Sequence, residues 1–108
     1  MVELRQNRVL HRDIRPANIL FNNETLMECK LIDFGNAVQL ASFDERRYTV
    51  CGAPNYQSPE MINLKFGASF ESEIWSIGIT IYTLLAGRPP FHNTDRKQIS
   101  KNIEHGQY

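Results

Sequence analysis

HRDIRPANIL, residues 11–20, sets His11, Arg12 and Asp13 side by side, places Asn18 five residues after Asp13, and then runs into apolar residues. A buried strand does not begin with two adjacent charges, so the stretch reads as a loop feeding a strand. Polar side chains carried on loops above a rigid support are where chemistry concentrates.

Working outward, the first half alternates short apolar runs with polar breaks. Residues 19–21 and 30–32 read as two short strands facing each other across a loop centred on Asn22 and Asn23. Pairing Ile19 with Ile32 and Phe21 with Lys30 sets Asn18 beside Asp33, so two oxygen-bearing side chains converge from distant positions. Residues 36–60 keep no period, contain Gly52, Pro54 and Pro59, and read as a long ordered or switchable loop, a length that is usually functional in compact domains. From about Ser72 the pattern becomes helical. Ile74, Ile77, Ile81 and Leu84 share one face while Trp75, Ile79 and Tyr82 cover much of the other, the pattern of a core helix. Gly87, Pro89 and Pro90 end it. A last amphipathic helix is expected from about Asp95, with Ile99 and Ile103 one turn apart.

Bulk properties narrow the function classes. The 108 residues make at most one modest domain, and 12 basic against 12 acidic residues leave no net charge to draw nucleic acid or a membrane surface. Cys29 and Cys51 have no second pair for a disulfide framework and no CxxC spacing for zinc. The charged start is unlike a signal peptide. Ile74 to Gly87 falls short of the roughly 20 residues that span a bilayer. A soluble, reducing compartment is the expectation.

H-R-D-x-x-x-x-N followed by D-F-G (Asp33, Phe34, Gly35) resembles the signature of protein kinases. The resemblance continues through Ser58-Pro59-Glu60, similar to the Ala-Pro-Glu that closes a kinase activation segment. It extends to E-I-W-S-I-G (Glu73 to Gly78) of the central helix and L-A-G-R-P-P-F (Leu85 to Phe91) after it. Y-T-V-C-G-A-P-N-Y-Q-S-P-E resembles the polo-like serine/threonine kinases. The implied fold is α+β, a protein-kinase-like fold that is incomplete: residues 1–108 as a partial kinase domain, mainly helical large lobe, short β-hairpin beside the catalytic loop, small lobe absent.

The resemblance implies a serine/threonine kinase fragment transferring the γ-phosphate of ATP to hydroxyls of a protein substrate. Asp13 would be the catalytic base, and Asn18 and Asp33 the Mg2+ ligands, since magnesium takes hard oxygen donors shared with phosphates. Thr49 falls at the activating phosphosite, with Arg12 as the phosphate's partner. Arg15 stands where most such kinases carry a lysine near the transferring phosphate, and the exchange is not conservative in a tight site. Ala53 replaces a threonine whose hydroxyl links the activation segment to the catalytic Asp, and Glu73 replaces an aspartate that holds the catalytic loop. Glu60 lacks the arginine that faces it in the family. No glycine-rich loop or Val-Ala-Ile-Lys lysine precedes His11, so the 108 residues alone are expected to be inactive. The competing expectation is a non-catalytic kinase remnant that binds protein through exposed apolar large-lobe surface, on a chain of marginal stability. The compartment implied is the cytoplasm, with the nucleus and centrosome added by family resemblance.

Overall fold

Asn22 closes the first hairpin. Its N–H donates to Glu28 O at 2.9 Å, its Nδ2 donates to Glu28 Oε2 at 3.3 Å, and its Oδ1 accepts the Glu24 N–H at 3.0 Å. Asn favours such turns because its side chain bonds backbone two residues on. The closure pairs β2 (Ile19–Phe21) antiparallel with β3 (Cys29–Leu31), Ile19 opposite Leu31 and Phe21 opposite Cys29. The register expected from the sequence, Ile19 with Ile32, is thus corrected by one residue, a slip that exchanges the faces of every side chain in a strand. Ile32, not Asp33, lies across from Asn18, and its N–H donates to Asn18 O at 2.9 Å. The computed structural model describes residues 1–24, 28–63 and 66–108. The tip of this loop, residues 25–27, lies outside them.

The elements flanking this hairpin have no counterpart in the sequence reading. Helix α1 (Val2–Gln6) precedes β1 (Val9–Leu10), which pairs antiparallel with β4 (Val38–Gln39). Each strand has two residues, too short for a period to register. The pair nonetheless seats Leu10 and Leu40, which pack with Ala68 and Phe70 in one of two small cores.

The long segment after residue 36 is mostly irregular, as expected, but it is pinned. Arg47 and Ala68 exchange both backbone hydrogen bonds, at 3.2 and 2.6 Å. A 3-10 turn at Pro54–Tyr56 then leads into the short helix α2 (Pro59–Ile62).

Helix α3 (Phe70–Ala86) begins two residues earlier than the apolar pattern predicts, because Ser69 caps it. The Ser69 hydroxyl accepts the Ser72 N–H at 3.3 Å while the Ser72 hydroxyl accepts the Ser69 N–H at 2.9 Å, satisfying two otherwise free donors. Glu71 and Glu73 sit in the first turn, where the helix dipole favours negative charge. Gly87 ends the helix in the left-handed region at φ 77°. The arrangement of α3 reverses the usual one. Its buried face is Ser72, Glu73, Ser76 and Thr80 beside Phe70 and Ile79, whereas Ile74, Ile81, Leu84 and Leu85 are exposed, Leu85 by 84%.

Helix α4 (Arg96–His105) follows the ordinary rule. Asp95 caps it, accepting the Lys97 N–H at 2.9 Å, and Ile99 and Ile103 point into the second core with Ile79 and Phe91. Trp75 stacks on Phe91 with ring centroids 6.0 Å apart. Among the described residues no helix is long and apolar enough to cross a membrane. The architecture is a mixture of four α-helices and two two-stranded sheets among the described residues, with more residues in helix than in strand.

Candidate functional site

The His11–Asn18 loop hangs between β1 and β2 and is held from three sides. His11 is fully buried; its Nδ1 accepts the Asp13 N–H at 3.3 Å and its Nε2–H donates to Ile32 O at 2.9 Å, so the two bonds define one tautomer. The ring meets Phe34 edge-on at 4.8 Å. His11 therefore acts as the peg that joins the loop to the end of β3.

Arg12 turns the chain. Its φ of 64° is left-handed, an expensive conformation for a side chain of this size. The turn aims its N–H at Glu73 Oε1, 2.7 Å away on α3, and its Nε donates to Asn36 O at 2.6 Å. Glu73 thus does grip the loop despite its additional methylene, with Oε1 accepting the Arg12 N–H. Burial pushes its carboxyl above the ordinary carboxylate range, and the N–H groups of Arg12 and His11 pull it partly back.

Asp13 is 8% exposed and is fixed by three groups. Asn18 Nδ2 donates to its Oδ2 at 3.0 Å and also to its backbone O at 2.8 Å. The Ala53 N–H donates to Oδ1 at 3.2 Å, and Arg15 Nε lies 3.4 Å from the same oxygen. The long segment after residue 36 therefore reaches Asp13 through its main chain, a contact that needs no hydroxyl at Ala53. Gly52 is what allows that approach: at φ 81°, a Cβ there would collide with Arg12 O.

Asn18 is 4% exposed, on a 3-10 turn started by Pro16. Both its side-chain bonds run through Nδ2, which leaves Oδ1 to accept from or ligate something else. Asp33 is exposed, at φ 62°, with Oδ1 accepting the Gly35 N–H at 3.2 Å. Asp33 follows the hairpin in a left-handed turn, one residue beyond Ile32, the residue that pairs across from Asn18. A carboxylate and an amide oxygen with free lone pairs fit a small hard cation whose remaining ligands come from phosphates and water. Among the described residues no cluster of three His, Cys, Asp or Glu side chains could hold a metal by itself.

The other sequence-predicted positions are dispersed. Thr49 is exposed, two residues beyond the Arg47–Ala68 pairing, and the Arg12 guanidinium is directed to Asn36 rather than toward an exposed threonine. Glu60 lines a cavity of about 630 Å3 with Arg46, Tyr48 and Glu71, and has no ion pair among the described residues. The Cys51 thiol is pushed up chiefly by burial, eased by Arg12 and reinforced by Asp13, as suits an inert side chain. Sequence reasoning missed Ser76, whose hydroxyl donates to Tyr56 O at 2.7 Å, and Thr80, whose hydroxyl lies 3.4 Å from Ile14 O and 2.8 Å from Ser76 O. Their spacing of four residues on α3 was the available signal.

The family profile described as Protein kinase domain matches residues 2–108. A probable serine/threonine-protein kinase CCRP1 of Zea mays is 50% identical over 105 residues, 97% of this chain and 16% of that protein. Serine/threonine-protein kinase PLK1 of Xenopus tropicalis is 46% identical over the same share of this chain and 17% of its own length. Serine/threonine-protein kinase polo of Drosophila melanogaster is 43% identical over 97% of this chain and 18% of its own. The chain thus spans less than a fifth of each of these relatives.

Proposed function

This chain belongs to the protein kinase family, and we propose that it forms the catalytic loop, activation segment and central helix of a serine/threonine kinase that phosphorylates protein hydroxyls with ATP. The observation that supports this most is the seating of Asp13: nearly buried, held by Asn18 and Ala53, yet with lone pairs left on both oxygens. Such a carboxylate orients a substrate hydroxyl and takes its proton as the new O–P bond forms. Arg15 lies against Asp13, and its positive charge would serve the transferring phosphoryl group.

Asn18 through Oδ1 and Asp33 through its carboxylate would hold magnesium, which when bound neutralises phosphate charge. Thr49 is the proposed activating phosphosite, with Arg12 free to serve it only if its bond to Asn36 O is exchanged. Identity of 42–50% to kinases, polo-type enzymes among them, favours an active kinase over the non-catalytic remnant. The same reading puts the protein in the cytoplasm, with the centrosome and nucleus as the further sites that polo-type resemblance adds.

The test grafts these residues in place of the matching 105 residues of the Xenopus PLK1 and measures phosphate transfer from ATP to a protein substrate. Asp13→Ala is expected to lower the rate by about 100-fold or more. An unchanged rate removes the role given to Asp13.

A further inference from the structure

Gln57 is a buried polar side chain with no part in the chemistry assigned to Asp13. It is 8% exposed, and a polar group at that depth is settled only where a hydrogen bond meets it. Its Nε2 donates to Cys51 O at 2.7 Å, six positions back, and so ties residues 51–57 into a closed loop. The loop is braced inside that tie. The Tyr56 N–H donates to Ala53 O at 3.0 Å and the Gln57 N–H to Pro54 O at 3.3 Å, both in the 3-10 turn that Pro54 starts. Next to Gln57, the Ser76 hydroxyl on α3 donates to Tyr56 O at 2.7 Å and fastens the loop to that helix.

The other end of the loop meets Asp13. Cys51 O belongs to the peptide that enters Gly52, and the following peptide carries the Ala53 N–H that donates to Asp13 Oδ1 at 3.2 Å. At φ 81°, Gly52 lets this backbone run against Arg12 O. A side-chain hydroxyl rotates to find its acceptor, whereas a main-chain N–H is only as well aimed as the rigid peptide plane that carries it. Ala53 has no hydroxyl to offer, so its hold on Asp13 depends on the backbone that Gln57 secures one plane away.

We propose that Gln57 is a positioning residue for phosphate transfer. Its bond to Cys51 O fixes the Gly52–Ala53 backbone, and the Ala53 N–H then keeps the Asp13 carboxylate turned to receive the substrate's proton. The inference rests on the reading of Asp13 as the base, and it gives a buried glutamine a task in the reaction without contact with any reacting atom.

Gln57→Met keeps the length and bulk of the side chain and removes the donor. In the 108-residue chain, amide exchange at Ala53, followed residue by residue, should quicken by about 10-fold, the scale of one net hydrogen bond, while Ile103 in α4 is unaffected. In the graft into Xenopus PLK1 the same variant should lower kcat by about 10-fold and leave the KM for ATP unchanged, the split that marks lost positioning. Gln57→Glu regains a donor when its carboxyl is protonated, so its Ala53 exchange should approach that of the parent as pH falls, which a purely structural role would not produce. Ala53 exchange unchanged in both variants overturns the proposal, as does faster exchange with kcat intact. A parent graft that transfers no phosphate counts against Asp13 as the base, and the exchange rates decide separately whether Gln57 holds the Ala53 N–H.

Discussion

Helices α3 and α4 carry similar aliphatic side chains and use them in opposite ways. In α4, Ile99 and Ile103 are 6% and 1% exposed, and the charges face solvent. In α3, Ser72, Glu73, Ser76 and Thr80 are buried beside Phe70 and Ile79, while Ile74 and Leu85 are 63% and 84% exposed. One helix is held by apolar burial, the other by directed bonds to Arg12 N, Tyr56 O and Ile14 O. Apolar burial is strong but indifferent to small shifts. Hydrogen bonds are individually modest and fix atoms in place. The helix that positions the site is thus the one whose inner face is polar.

The sharpest way to break this contrast is Ile103→Ala in α4, which removes a buried aliphatic from the second core and is expected to cost about 2–5 kcal/mol in urea unfolding. Next comes Glu73→Leu, which strips the Arg12 N–H of its acceptor. A loss of about 1–3 kcal/mol is expected, with catalytic-loop amides exchanging faster with deuterium. If that loop kept its protection, the polar face would not be what holds it.

Titration separates the two helices further. The Glu73 carboxyl lies above its ordinary value of 4.5, so the folded state binds its proton more tightly than the unfolded chain does. Its contribution to stability is fully present below pH 4.5 and is lost as pH rises through the elevated folded value. Glu73→Gln, which keeps an acceptor for Arg12, should remove that part of the pH dependence in thermal melts from pH 4 to 8. Ile103→Ala should leave it intact. The smallest effect is expected for Leu85→Gln on the outer face of α3: within about 0.5 kcal/mol in stability, with reduced binding of an apolar dye. A loss as large as that of Ile103→Ala would mean that Leu85 is covered.

The sequence was most legible where one pattern controlled one element. Asp95, Ile99 and Ile103 announced α4 and Gly87 closed α3, while the Asp13, Asn18 and Asp33 spacing singled out the candidate site. It was least legible where the decisive partner lay far along the chain. The hairpin register turned on Asn22 pairing with Glu28, which apolar alternation does not encode. The inner face of α3 was misjudged because isoleucines outweigh serines in any hydropathy reading, while hydroxyls at Ser76 and Thr80 act through backbone acceptors elsewhere. Ala53 was read by its missing hydroxyl, although the main-chain N–H makes the bond to Asp13.

The polar face of α3 also sets an order of assembly. Arg12 and Glu73 are 61 positions apart, and Ile14 and Thr80 are 66 apart. Contacts of such separation bear the largest loop-closure entropy and form late. On a ribosome, Asp13 emerges long before the helix that steadies its neighbour, so the nascent chain carries its chemical groups for many residues of synthesis without the geometry to use them. The bonds that steady the Asp13 loop are completed only once α3 is in place.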